Sequence, residues 1–263
     1  MKTKNISVLE IVKRFLKREI FKILSLGYAG LSLPFLIMKN ENLENSLFET
    51  LTDNTLDLGC DISELTIDQF IENDMLKDIP FFSLFYKSFK AIQGVRETLF
   101  IMKVYKFIKE FEKIKQNEKI QFNNKITSNK KERIKVGQTL IMILDKIEEV
   151  DKTQIIANLF SAYIRSEITK SEFTKLASIA EKVFIDELLL FSKMKDYDEI
   201  DLEVQANLSS VGLMFPIIMD TKSIYGDSVL IDEINNKNRI VYVISKLGLK
   251  MKKHALHNKL IIS

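Results

Sequence analysis

The sequence predicts a mainly α fold: a multi-helix N-terminal and central region, then a small α+β winged-helix-like module at the C-terminal end. Three observations carry that expectation. The 263 residues include only three prolines and eight glycines, while Lys, Glu, Leu, Ile and Phe are abundant. Such a composition favours long helices over a turn-rich β sandwich. Apolar residues recur at helical spacing along most of the chain, with capping signals between the periodic stretches. At Gly212 the pattern changes, and two β-type runs, 213–219 and 240–244, flank a polar stretch.

The first element is a basic amphipathic helix, in which Val8, Ile11, Val12, Phe15, Leu16, Ile20, Ile23 and Leu24 share one face. Behind it, Ile23–Met38 runs sixteen residues without a charge. That is short of the ~20 apolar residues that span a bilayer, and it contains two glycines and Pro34. Met38 would also serve as an alternative translation start. A short helix is expected near Leu43–Leu51, and Thr66 with Gln69 forms a capping box for another. Asp78 before Ile79 and Pro80 marks the start of a helix toward Gln93, and past Gly94 a second runs from Arg96 to Gln116.

Residues 117–132 are polar and suit a connector or a frayed helix. A helix over Lys131–Glu149 follows, with Ile134, Leu140, Ile141, Leu144 and Ile147 facing inward. Asp151 with Gln154 and Thr169 with Glu172 are capping boxes for the next two helices. Glu203–Val211 is helical, then come the two strands, and a last helix starts at Ser245. The expected domains are a leader over 1–40, a helical domain over 41–195 and the C-terminal module over 196–263.

Seven of the eighteen phenylalanines fall between Phe81 and Phe111, interleaved with Lys87, Lys90, Arg96, Lys103, Lys106 and Lys109. Rings among basic residues suit a helical core, a membrane surface or a nucleic-acid groove. The net charge of +3 hides alternating blocks: residues 41–78 carry one basic against eleven acidic groups, and 79–135 carry fourteen against five. Adjacent blocks of opposite sign can neutralise each other within the fold, which favours the core.

Chemistry-bearing motifs are sparse. A single cysteine, Cys60, excludes an intramolecular disulfide framework and a multi-cysteine zinc site, and suits a reducing cytoplasm. The glycines stand singly, so no phosphate-cradling loop exists, and no Gly-x-Ser-x-Gly elbow occurs. His254 and His257 share a helix face, but their neighbours are Lys252, Lys253 and Lys259. With no carboxylate or thiol within a turn, they suit the helix dipole better than a metal. No catalytic residue, cofactor or metal is expected. The acidic stretch Asp196–Glu203 would repel DNA, and only the closing helix, with Lys250, Lys252 and Lys253, is basic enough to bind it.

Two stretches resemble known groups. Val136–Leu190 resembles tellurite-resistance-type helical domains, in which a short turn with a capping Glu joins two core helices; that family's acidic metal-binding residues are not matched. The run DISELTIDQFIENDMLKDIP, the aromatic stretch and RETLFIMKVYKFI are similar to an uncharacterised group of bacterial helical proteins, over about residues 41–255. Phe81 and Phe82 stand where that group would have glycines. The resemblance implies a helical middle, a Gly-Leu hairpin-helix ending and an accessory role of the phage-defence type.

The expected function is therefore a non-enzymatic bacterial helical interaction protein. It would be cytoplasmic, with peripheral contact or insertion at the inner membrane through residues 8–38. Phe81, Phe82, Phe85, Tyr86 and Phe89 are the candidate membrane or partner contacts. Its partner would be another protein or a second copy, with an anionic membrane surface as the further option and nucleic acid the least favoured. A nucleic-acid-binding winged-helix regulator and an enzyme with an unrecognised site are the alternatives.

Overall fold

A computed structural model describes residues 42–53, 76, 78–89, 95–127, 129–195, 201–220 and 238–256. The leader 1–40, the Thr66–Gln69 box, Cys60 and His257 lie outside the described residues. Described are the helices α1 (Asn42–Thr52), α2 (Pro80–Phe89), α3 (Val95–Glu112), α4 (Gln116–Thr127), α5 (Lys130–Lys146), α6 (Lys152–Ile164), α7 (Lys170–Lys182), α8 (Ile185–Lys193) and α9 (Leu202–Ser210). They are followed by strands β1 (Met214–Asp220) and β2 (Asn238–Ile244) and helix α10 (Lys246–His254). The fold is mainly α, with one two-stranded antiparallel sheet near the C-terminal end. Among the described residues, no helix is long and apolar enough to cross a membrane.

α6 is the centre of the bundle. Its sequence KTQIIANLFSAYI is apolar on nearly every side, as a helix surrounded by others must be. It packs on α3, α4, α7 and α10. Phe160 is its hub, with ring centroids 5.6–5.9 Å from Phe107, Phe111, Phe122 and Phe173. The aromatic-basic stretch therefore goes to the core. Phe81 and Phe82 are 0% and 2% exposed and meet edge to face at 5.5 Å.

Three of the interleaved cations find partners near the end of α5 and the start of α6. Lys103 is buried, and its Nζ donates to the carbonyls of Ile147 (2.7 Å) and Asp145 (3.2 Å) at the end of α5. These carbonyls have no helical partner, so a cation there satisfies them and the helix dipole together. Burial, partly offset by Asp145, lowers the Lys103 pKa. Lys106 pairs with Asp151 at 2.5 Å, and Arg96 with Asp145 at 3.8 Å.

Local capping explains most boundaries. Thr169 and Glu172 form the expected capping box, with Glu172 N donating to Thr169 Oγ1 (3.2 Å) and Thr169 N to Glu172 Oε2 (2.9 Å). Asn129 caps α5 by accepting from Glu132 N at its side-chain oxygen (3.1 Å). Asp151 does not: its backbone is already helical and its side chain makes no capping bond, because the carboxylate is turned to Lys106. The α5 helix ends at Lys146, short of the expected Glu149. The 117–132 stretch is largely the helix α4. Helix α8 was not expected, since Phe184 at its start offers no capping side chain.

Gly137 lets α1 cross α5 closely: a Cβ there would lie 2.9 Å from Glu44 Cβ and 3.2 Å from Phe48 Cε2. Glu44 is fully buried at this crossing, and its carboxylate oxygens have no hydrogen-bond partner among the described residues.

Candidate functional site

The α6–α7 turn organises the polar surface of the bundle. After Ile164 the chain closes a Schellman motif: Ser166 N donates to Tyr163 O (3.0 Å) and Glu167 N to Ala162 O (2.9 Å). Ser166 occupies the left-handed position at φ 59°, usually a glycine's place. This geometry turns Arg165 and Glu167 outward side by side, with Arg165 Nε donating to Glu167 Oε1 (3.0 Å). Arg165 also lies 3.8 Å from Glu118 on α4. An open cleft of about 410 Å³ sits here, lined by Asn117, Glu118, Gln121, Phe122, Arg165 and Ser166. Its charged groups are paired with one another. Among the described residues, no three His, Cys, Asp or Glu side chains cluster as metal ligands would.

Helix α10 docks against this turn. Ser245 caps it, accepting from Gly248 N (2.9 Å) and donating to Gly212 O (2.7 Å). Gly248 faces the Leu213 carbonyl, Ile244 and Phe191 so closely that no side chain fits. Three of the four basic or imidazole groups on its far half are used in docking. Lys250 pairs with Glu172 of the capping box. Lys252 donates to the Met194 carbonyl and stands 5.5 Å over the Phe191 ring. His254 is buried, 5% exposed, and its Nδ1 lies 3.1 Å from Glu167 Oε2. Asn158 on α6 donates to the Ala255 carbonyl (3.0 Å). Lys253 is exposed.

The electrostatics follow from these contacts. Burial pushes the His254 pKa down; Glu167 opposes that, Lys253 and Lys250 add to it, and the net shift is downward. At pH 7 the imidazole is therefore neutral, and the proton on Nδ1 is the one donated to Glu167. Burial pushes Glu167 up, but Arg165 and then His254 outweigh it, and its pKa falls. Glu172 is held down to about 2, first by the Lys250 bond and then by the Thr169 amide.

The second feature is the ribbon. α9 ends in another Schellman motif, with Gly212 at φ 84° as its left-handed residue, and β1 follows. β1 and β2 are in antiparallel register, with Ile218 opposite Ile240 and Phe215 opposite Val243. Side chains opposite each other share a face, so Ile218 and Ile240 lie on one face and Phe215 and Ile217 on the other. Both faces are open: Ile218 is 70%, Ile240 55% and Phe215 46% exposed.

Sequence reasoning placed a contact surface on the aromatic run from Phe81. Phe81 and Phe82 cannot serve as membrane or partner contacts, because the core takes them. Phe85, Tyr86 and Phe89 lie on α2, but their side chains are outside the described residues. Of the basic helix, Lys250 and Lys252 are engaged in docking. The ribbon was legible as two β-type runs, but its two open faces were not. The partnership of His254 with Glu167 was missed, since the two are 87 residues apart. No family model, no curated protein and no solved structure matches this chain.

Proposed function

We propose that this chain is a non-enzymatic helical interaction protein and that the β1–β2 ribbon is its contact surface. The observation behind the proposal is the apolar character of both ribbon faces. A strand pair solvated on one side alternates apolar and polar residues, whereas one covered on both sides is continuously apolar. The runs MFPIIM and IVYVI are of the second kind, yet Ile218, Ile240, Phe215 and Ile217 are exposed. Clustered exposed apolar groups mark contact sites.

The partner is a protein, either another chain or a second copy. Among the described residues, β1 and β2 pair only with each other. Among these residues each then has an open edge, which hydrocarbon would leave unsatisfied and a protein can pair. Nucleic acid is disfavoured because Met214–Met219 and Ile240–Ile244 carry no charge and α9 has no Lys or Arg. A catalytic role for the cleft is disfavoured by the mutual pairing of Arg165 with Glu118 and Glu167.

A photo-crosslinking residue in place of Ile218, introduced in cells that make the protein, tests this. Crosslinks to another polypeptide, or to a second copy, are expected. Crosslinks confined to the same chain would overturn the proposal, because the ribbon would then be covered from within.

A further inference from the structure

We propose that α10 is an acid-released latch on the helical bundle, with His254 as its trigger. The proposal is independent of what the ribbon contacts. Beside the buried Gly248, Met251 and Ala255, the latch has few polar parts: His254 on Glu167, Lys250 on Glu172, Lys252 on the Met194 carbonyl, and Asn158 on the Ala255 carbonyl. Of these, His254 is the group whose charge changes between pH 7 and 5.

Its surroundings decide what that change does. The charged groups facing His254 are Glu167 from the turn, with Arg165 behind it, and Lys250 and Lys253 from its own helix. Glu172 on α7 reaches it only through Lys250, which it already neutralises. The other side chains that hold α10, Asn158 on α6 at the Ala255 carbonyl and Phe191 on α8 at Gly248 and Lys252, do not titrate. A proton on His254 therefore places a buried cation beside two lysines. The one carboxylate in reach is already shared with Arg165. A buried charge needs its own partner, so the protonated imidazole is better accommodated in water with α10 undocked. The downward shift of its pKa agrees with this direction.

Because Gly248 packs on Leu213 and Ile244, undocking α10 would also loosen the base of the ribbon. The latch would thus connect acidification to the mobility of the whole C-terminal module.

Amide hydrogen exchange of the full chain from pH 7.5 to 5, corrected for intrinsic rates, reads the latch. Protection of α10 is expected to fall about tenfold for each pKa unit separating the docked from the released imidazole, while α6 keeps its protection. In His254→Gln, α10 protection should be flat with pH. Unchanged α10 protection in the wild type, or the same pH dependence in His254→Gln, would overturn the latch. If that variant does not fold, NMR titration of the His254 ring in a His257→Gln background decides. A midpoint below 6.5 that coincides with loss of α10 protection supports it; a midpoint above 6.5, or one unlinked to exchange, refutes it.

Discussion

Replacing Gly248 by alanine adds one methyl group where the structure has no room for it. The new Cβ would lie 2.9 Å from Ile244 Cγ2 and 3.0 Å from Phe191 Cζ, and closer still to the Leu213 carbonyl oxygen. The two side chains can give way by a rotamer change. The carbonyl cannot, because Leu213 is fixed on both sides: its N–H donates to Leu208 O, and its oxygen accepts from Ser245 N, each at 2.9 Å. Overpacking of this kind costs about 1–3 kcal/mol, and a backbone contact belongs at the top of that range. Alanine returns about 1 kcal/mol of helix propensity, leaving a net loss of about 2 kcal/mol. That is roughly a 30-fold shift toward the undocked module. The assay is limited proteolysis within 201–256 together with thermal melting. Cleavage should accelerate by about that factor, and the melting temperature should fall by about 4–8 °C if the whole chain unfolds cooperatively. A Gly248→Ala protein as resistant and as stable as the wild type would refute the close-approach account of α10 docking.

Three further outcomes are expected. Phe160→Ala removes the hub of the aromatic core and should cost about 3–5 kcal/mol in a denaturant melt; a loss under 1 kcal/mol would mean that the rings collapse around the gap. Ser166→Gly relieves a left-handed serine and should add about 0.5–1 kcal/mol, whereas Gly212→Ala, at φ 84° with open space around it, should lose about 1 kcal/mol from backbone strain alone. Acid should act through Glu172. Its carboxyl is depressed when folded, so the folded chain binds fewer protons than the unfolded one. The stability it supplies is full above 4.5 and disappears as pH falls toward about 2. In Glu172→Gln the slope of stability against pH over that window should flatten; an unchanged slope would assign acid sensitivity to other carboxylates.

The helices were legible because their signals are local. Thr169 and Glu172 lie three residues apart and bond to each other, so a capping box in the sequence becomes one in the structure. The inward positions Leu140, Ile141 and Leu144 are buried because a period of 3.6 places them on one face. Local signals fail where a distant group competes for the same side chain. Asp151 has the right spacing for a cap, but Lys106, 45 residues earlier, takes its carboxylate. The acidic block 41–78 was the expected counter-charge for the aromatic-basic helices. Among the described residues, that role falls to Asp145 and Asp151 at the end of α5 and the start of α6, where α3 passes.

The proposed contact surface was legible in kind and not in place. A run such as IVYVI states that both faces of a strand should be covered, but not whether the cover is the same chain or a partner. The aromatic run from Phe81 contains more rings and looked the stronger contact surface. What separates them is helix packing: α2 lies against α1 and takes Phe81 and Phe82 inside, with the Phe81 amide donating to Thr50 Oγ1 at 3.1 Å. The ribbon has no described helix over Ile218 and Ile240. An apolar run on a helix is covered when another helix packs along it, as α1 packs on α2. The ribbon would need a helix or a second sheet laid on each face; among the described residues Ile218, Ile240 and Phe215 have none and stay exposed, which is why the proposed partner would be placed there.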